Sequence, residues 1–273
     1  MVNEGHLVTS FDHRDQDIIA DWAHVLFEGL AALRNDQAAR NLILEKGSNK
    51  DHLGRLRAGF FEKTVDDMRQ LNIVNVHDDR IRDYRRNMPT DSYAKFFEAL
   101  CELYTWVHIQ VEAIGDAVDA YIKRERIRGN DVGGAYDLTD LLPDSDVLVS
   151  VTSYRVRAGA SESSGCPNTA ALGIYCLVKG NASMHVLDRY GRDVNLSHVE
   201  KDPSRILVVP GEELSLITNN LIMAATNPVY VNPEEEGLMR TTLRVFVYLP
   251  KEIMAKLRHL REEHNKGMQM LVE

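Results

Sequence analysis

From Asp146 to Pro250 the chain is a succession of short strand-forming runs, each cut off by residues that reverse the backbone. Val147–Val156 opens the series, Ala171–Val178 and Met184–Leu187 follow, and Ile206–Val209, Glu213–Thr218 and Thr241–Leu249 are among the later ones. β-Branched and aromatic side chains are frequent in these runs and fit a pleated, half-buried surface. Between them, Lys179-Gly180-Asn181, Arg189-Tyr190-Gly191-Arg192 and Pro210-Gly211 fit tight reversals, since Gly allows positive φ and Pro fixes its own. About eight strands at this spacing bury their apolar faces by stacking or closing on one another, which predicts a jelly-roll barrel.

The first half follows the helical period instead. Ile18, Trp22, Val25, Leu26, Leu30 and Leu33 share one face, with Asp12 placed as an N-cap. Leu53 to Leu71 is read as a second amphipathic helix. A long third one runs from Ser92 to Arg128, with Phe96, Leu100, Leu103, Tyr104, Val107, Val111, Ile114, Val118 and Ile122 in its stripe. Gly129-Asn130 and Gly133-Gly134 end it and supply a linker. Lys251 to Asn265 reads as a closing helix in which Ile253, Leu257 and Leu260 face the protein and Gly267 ends the run. The expected fold is therefore α+β: a helical N-terminal region (1–135), a double-stranded β-helix or jelly-roll barrel (136–250), and a C-terminal helix and tail (251–273).

Composition sets the outer bounds. With 273 residues, 44% of them hydrophobic, the chain buries a substantial core. Its 41 acids exceed its 32 bases, a net charge of −9, which disfavours a non-specific nucleic-acid binder. Two basic patches, Arg80–Arg86 and Lys123–Arg128, both contain acids; they read as solvated faces, with an RNA-associated module as the weakest of the functional readings. Three cysteines without framework spacing point to reduced thiols and an intracellular setting, probed further by the absence of a basic, apolar leader after Met1 and of any bilayer-length apolar run. No nucleophile elbow and no phosphate-binding glycine loop is present. The acid run Glu234–Glu236 reads as an exposed excursion.

Several runs in the barrel segment match one family in order. Ile206-Leu207-Val208-Val209-Pro210-Gly211, continuing to Thr218-Asn219-Asn220, is similar to a run "alvVniGd-x-Le-x-lTNg". Ala224–Val229 stands where "SalHRV" is found, and Asn168–Leu177 falls without a gap on "HTDxgxLTlL". Arg240-Thr241-Thr242 occupies the place of an Arg-x-Ser pair, and Tyr154 that of the tyrosine of an "NxY" motif whose Asn is Thr152 here. On these residues, the segment from about 146 to 250 resembles the isopenicillin N synthase-like branch of the 2-oxoglutarate/Fe(II) oxygenases. Gly59-Phe60-Phe61 is similar to that family's N-terminal "GFFxvxNHG", but the residues after it differ and the stretch reads as helical, so the match is treated as coincidence.

The resemblance implies a jelly roll with iron held by two imidazoles and one carboxylate. The three ligand positions are Asn168, Ala170 and Asn227 here. Ala170 has no donor atom, and an Asn amide is a far poorer Fe(II) ligand than imidazole. His185, His198, Cys166 and Cys176 show no ligand spacing that would relocate the metal. The resemblance also implies that Arg240, Thr242 and Tyr154 form a vestigial carboxylate pocket, since a guanidinium fork and a hydroxyl suit that group. The alternative is that Arg240 pairs with an acid such as Glu213. The expectation is a pseudoenzyme that works by binding, as a scaffold for a protein partner or homo-oligomer or as a receptor for 2-oxoglutarate or another small dicarboxylate, with no catalytic cofactor and no membrane. The second reading is a dioxygenase-like oxidoreductase with unconventional metal ligands.

Overall fold

The computed structural model describes residues 7–10, 13–39, 59–63, 67–74, 91–128, 136–155, 169–179, 183–187, 190–196, 205–225, 229–230 and 237–270. In chain order these carry β1 (Leu7–Ser10), α1 (His13–Asn35), β2 (Gly59–Lys63), β3 (Met68–Val74), α2 (Asp91–Ile127), α3 (Leu138–Leu141) and β4 (Asp146–Arg155). Then follow β5 (Leu172–Lys179), β6 (Ser183–Leu187), β7 (Asp193–Asn195), β8 (Arg205–Pro210), α4 (Glu212–Ile217), β9 (Val229–Tyr230), β10 (Met239–Tyr248) and α5 (Lys251–Met270). The strands form two antiparallel sheets, a seven-stranded one in the order β1-β8-β5-β10-β4-β3-β2 and a three-stranded one in the order β7-β6-β9. Among the described residues no ladder joins the two into a closed barrel.

The larger sheet has an outer and an inner face, fixed by the two-residue period of each strand. Outward go Leu71, Val149, Val151, Ile174, Val208 and Val245, which enter one core with the apolar stripe of α2. That stripe recurs every three or four residues, from Phe96 through Leu103, Val107 and Val111 to Ile122, all buried. At about 1.5 Å per residue, 37 residues make α2 a brace of about 55 Å along the sheet. Helix α1 packs on α2 through Gly29, where an added Cβ would lie 2.3 Å from Cδ2 of Phe96. From within α2, both carboxylate oxygens of Asp119 accept from the start of α3: Leu138 N at 2.7 Å, Thr139 N at 2.9 Å and Thr139 Oγ1 at 2.6 Å. These bonds satisfy amides that a short helix leaves without internal partners.

Inward, Leu207 and Val209 of β8 meet Val186 of β6 and Leu196 in a second, smaller core. The inner face at β3, β4 and β10 is different in kind, being largely polar and buried at Asn72, Ser150, Thr152, Arg240 and Thr242.

Two expectations are corrected here. The stretch read as a helix from Leu53 to Leu71 contains β2 and β3 over its described part: Gly59–Lys63 pairs with Met68–Asn72, and Arg69–Val74 continues onto β4. Leu71 enters the outer core while Gln70 and Asn72 bond on the other face, so alternation and not helical spacing governs these residues. Gly59-Phe60-Phe61 accordingly lies on a strand. Glu213–Thr218, read as a strand, lies instead on α4 and the turn after it. Leu214 and Ile217 are three apart and enter the same core, and consecutive positive φ values of 48° at Asn219 and 62° at Asn220 stop the helix. α5 also runs on past Gly267 to Met270. Asp12, Lys179-Gly180-Asn181 as a complete turn, and the glycines from Gly129 to Gly134 fall outside the described residues.

Candidate functional site

Strand β10 carries Arg240, Thr242, Arg244, Phe246 and Tyr248 at every second position, all on the inner face. Pairing with β4 sets Arg240 directly opposite Tyr154, Thr242 opposite Thr152, and Arg244 opposite Ser150. Directly opposed residues have Cβ atoms about 5 Å apart, so the register brings together the three residues that the sequence nominated as a carboxylate pocket. All three are buried, with relative exposures of 2% for Arg240, 5% for Tyr154 and 6% for Thr242. Among the described residues the Thr242 hydroxyl has no hydrogen-bond partner. A hydroxyl withdrawn from water without a compensating bond costs about 1–3 kcal/mol, so this group has capacity left for a ligand.

Behind the pocket runs a polar row. Gln70 Nε2 donates to Asn72 Oδ1 at 2.8 Å and to Ser150 Oγ at 3.2 Å, Ser150 Oγ lies 3.4 Å from Thr152 Oγ1, and Arg244 Nη2 donates to Thr152 Oγ1 at 2.9 Å. The Arg244 guanidinium also lies 6.0 Å from the centre of the Phe246 ring, and its Nε is buried without a hydrogen-bond partner among the described residues. Alternation along β10 was sufficient to find Arg244, two positions beyond Thr242 on the same face. Gln70 and Asn72 carried no such signal, because their stretch read as helical.

Glu213, the acid considered for Arg240, is buried at the far end of β10: its Oε2 accepts from Leu249 N at 2.7 Å and its Oε1 lies 3.9 Å from Arg258 Nη2. Nine residues of extended chain, about 30 Å, separate that end from Arg240, so the two do not pair.

Of the positions that the resemblance gives to metal ligands, Ala170 is fully buried and adjoins the start of β5, where Ala171 N bonds Val247 O at 2.8 Å. Asn168 and Asn227 lie outside the described residues, as do Cys166 and His198. His185 is engaged by a carboxylate, with Nδ1 2.7 Å from Asp193 Oδ1 across the β6–β7 ladder. Among the described residues no group of three or more His, Cys, Asp and Glu side chains is placed to hold a metal ion. In the basic patch at the end of α2, Arg124 and Arg128 lie 3.6 Å and 2.9 Å from the Glu125 carboxylate, which fits a solvated, internally neutralised face. Arg80–Arg86 and Glu234–Glu236 fall outside the described residues. No described helix is long and apolar enough to cross a membrane.

No family model and no curated protein matches the sequence. Solved structures do match in shape. A candidate oxygenase from Shewanella oneidensis superposes with a TM-score of 0.63 at 15% identity, covering 95% of this chain and 91% of its own. Dioxygenase for auxin oxidation 1 of Arabidopsis thaliana, in a binary complex with 2-oxoglutarate, gives 0.63 at 11% identity over 91% of this chain and 84% of its own. The rice dioxygenase for auxin oxidation gives 0.64 at 12% identity over 92% and 76%. At such identities the likeness establishes a shared fold and leaves function to the site.

Proposed function

We propose that this chain, which has the fold of 2-oxoglutarate/Fe(II) oxygenase structures, binds a small carboxylate between its sheets and does not activate oxygen with iron. The single observation that carries the reading is the buried Thr242 hydroxyl, without a hydrogen-bond partner among the described residues, next to the opposed pair Arg240 and Tyr154. A guanidinium supplies two parallel N–H donors to a carboxylate, and a threonine and a tyrosine hydroxyl add one bond each. The fold implies an iron site, and the donor set tests it. A fully buried methyl at Ala170 contributes no ligand atom, and amides at Asn168 and Asn227 offer weak neutral donors in place of imidazoles. These residues do not fit ferrous iron.

The titration is direct. Succinate and 2-oxoglutarate are expected to raise the melting temperature of the wild type in a saturable way, because a ligand of the native state adds RT ln(1 + [L]/Kd) to stability. Arg240→Ala is expected to abolish the shift. Stoichiometric iron uptake with 2-oxoglutarate consumption under anaerobic reconstitution and later oxygenation would overturn the reading in favour of an oxidoreductase. The absence of a shift with any small acid, together with a stable partner in a pull-down, would overturn it in favour of a scaffold.

A further inference from the structure

Arg244 is half-buried on the inner face of β10, and no carboxylate among the described residues pairs with it. Its interactions among the described residues are one hydrogen bond to a neutral hydroxyl, Thr152 Oγ1 at 2.9 Å, and the face of Phe246 at 6.0 Å. Neither neutralises it. Nε, however, is buried and makes no hydrogen bond among the described residues. A guanidinium keeps its charge and all its N–H donors, and a donor withdrawn from water without an acceptor is unfavourable. A ring face attracts the cation but leaves the N–H direction of Nε empty. What completes the arrangement is an acceptor that meets Nε from the space between the sheets, and a carboxylate oxygen is the group for which a guanidinium edge is shaped.

The position of Arg244 says what the acceptor belongs to. It lies on the same face of β10 as Arg240, four residues along, with Thr242 between them. Their backbone positions are separated by about 13 Å. The long side chains close part of that distance, which leaves a span suited to a short carbon chain with an acid at each end. The neighbouring row contributes neutral donors and acceptors, Gln70, Asn72 and Ser150, and no described carboxylate competes for Arg244.

We propose that the ligand is a small dicarboxylate, held by Arg240, Thr242 and Tyr154 at one end and by Arg244 at the other, with the second guanidinium supplying the positive charge that a metal ion would otherwise bring. This rests on the carboxylate-binding reading above and adds to it a second contact and a charge requirement. Binding then needs no divalent cation.

Calorimetric titration in the presence of a chelator tests it, with the wild type and Arg244→Gln against glutarate and the matched monocarboxylate, valerate. Glutarate is expected to bind the wild type at least about tenfold more tightly than valerate, the increment of one charge-assisted bond. Arg244→Gln, which retains a donor towards Thr152, is expected to bring the two affinities together by weakening glutarate alone. Equal affinities for the two ligands in the wild type, or a preference for glutarate that survives in Arg244→Gln, would overturn the second contact while leaving the Arg240 pocket intact. Failure of the wild type to bind either acid overturns the underlying reading and this inference with it. The wild-type comparison decides the matter even if the variant does not fold.

Discussion

Thr242 separates a ligand-binding group from a structural one. A buried hydroxyl that serves only the fold is bonded within it, and replacing it with an isosteric methyl leaves its partner stranded at a cost of about 1–3 kcal/mol. A buried hydroxyl kept for a ligand is a liability in the empty protein. Since Thr242 Oγ1 has no hydrogen bond among the described residues, Thr242→Val is expected to leave the ligand-free protein as stable or to stabilise it by about 1 kcal/mol, while reducing the melting-temperature shift given by succinate. Urea denaturation with and without the ligand measures both; a destabilised variant with an undiminished ligand shift refutes the assignment. The reach of sequence reasoning at this scale follows from the same geometry. Arg240, Thr242 and Tyr154 were legible because they stand at the places of two family motifs, and alternation along a strand puts the first two on one face. That the three meet depends on the register of β10 against β4, which is decided by long-range packing of the outer face and leaves no local trace. The polar row from Asn72 to Thr152 was illegible for the same reason.

Elements whose pattern answers to a single core were read correctly. The nine-position stripe of α2 fits one helix face and no strand, and β4, β5, β8 and β10 have runs of branched residues that a sheet covered on its outer face demands. The misread elements are short. In β2 and β3, Phe61, Met68 and Leu71 lie at spacings that a helix also permits, and only pairing with β4 resolves the ambiguity. In α4, six residues are too few for either period to declare itself. Where α1 crosses α2, the contact hangs on the missing side chain of Gly29. A Cβ there would sit 2.3 Å from Cδ2 and 2.9 Å from Cβ of Phe96, far inside van der Waals contact. Alanine has the better helix propensity by about 1 kcal/mol, and overpacking costs about 1–3 kcal/mol, so Gly29→Ala is expected to destabilise the protein. Chemical denaturation of Gly29→Ala and of Gly29→Ala/Phe96→Leu checks the cause. Partial recovery in the double variant identifies the clash, whereas strictly additive losses would place the effect elsewhere.

Across the whole molecule, the outer core makes the helices and the larger sheet one body energetically, and two phenols on α2 report on it. Tyr104 packs against that core, and burial pushes its phenol above the ordinary value of 10.0, with the Asp146 carboxylate at the start of β4 adding to the effect. Tyr93, buried near the start of α2, is raised by burial and by Asp36, whose Oδ2 accepts its hydroxyl at 3.3 Å. In both cases the native state holds its proton to higher pH than the unfolded chain does. The stabilisation is therefore complete below pH 10, the value for the unfolded phenol, and is lost as pH rises through the higher native value. The measurable consequence is a urea midpoint that falls on going from pH 9 to pH 11 at a slope that depends on these two groups. Tyr104→Phe keeps the ring in the core and removes the proton, so it is expected to flatten that slope while changing the midpoint little at pH 7. Equal slopes for Tyr104→Phe and wild type would mean that alkaline unfolding begins elsewhere, and that the seam between α2 and β4 remains dry and uncharged until the rest of the structure has gone.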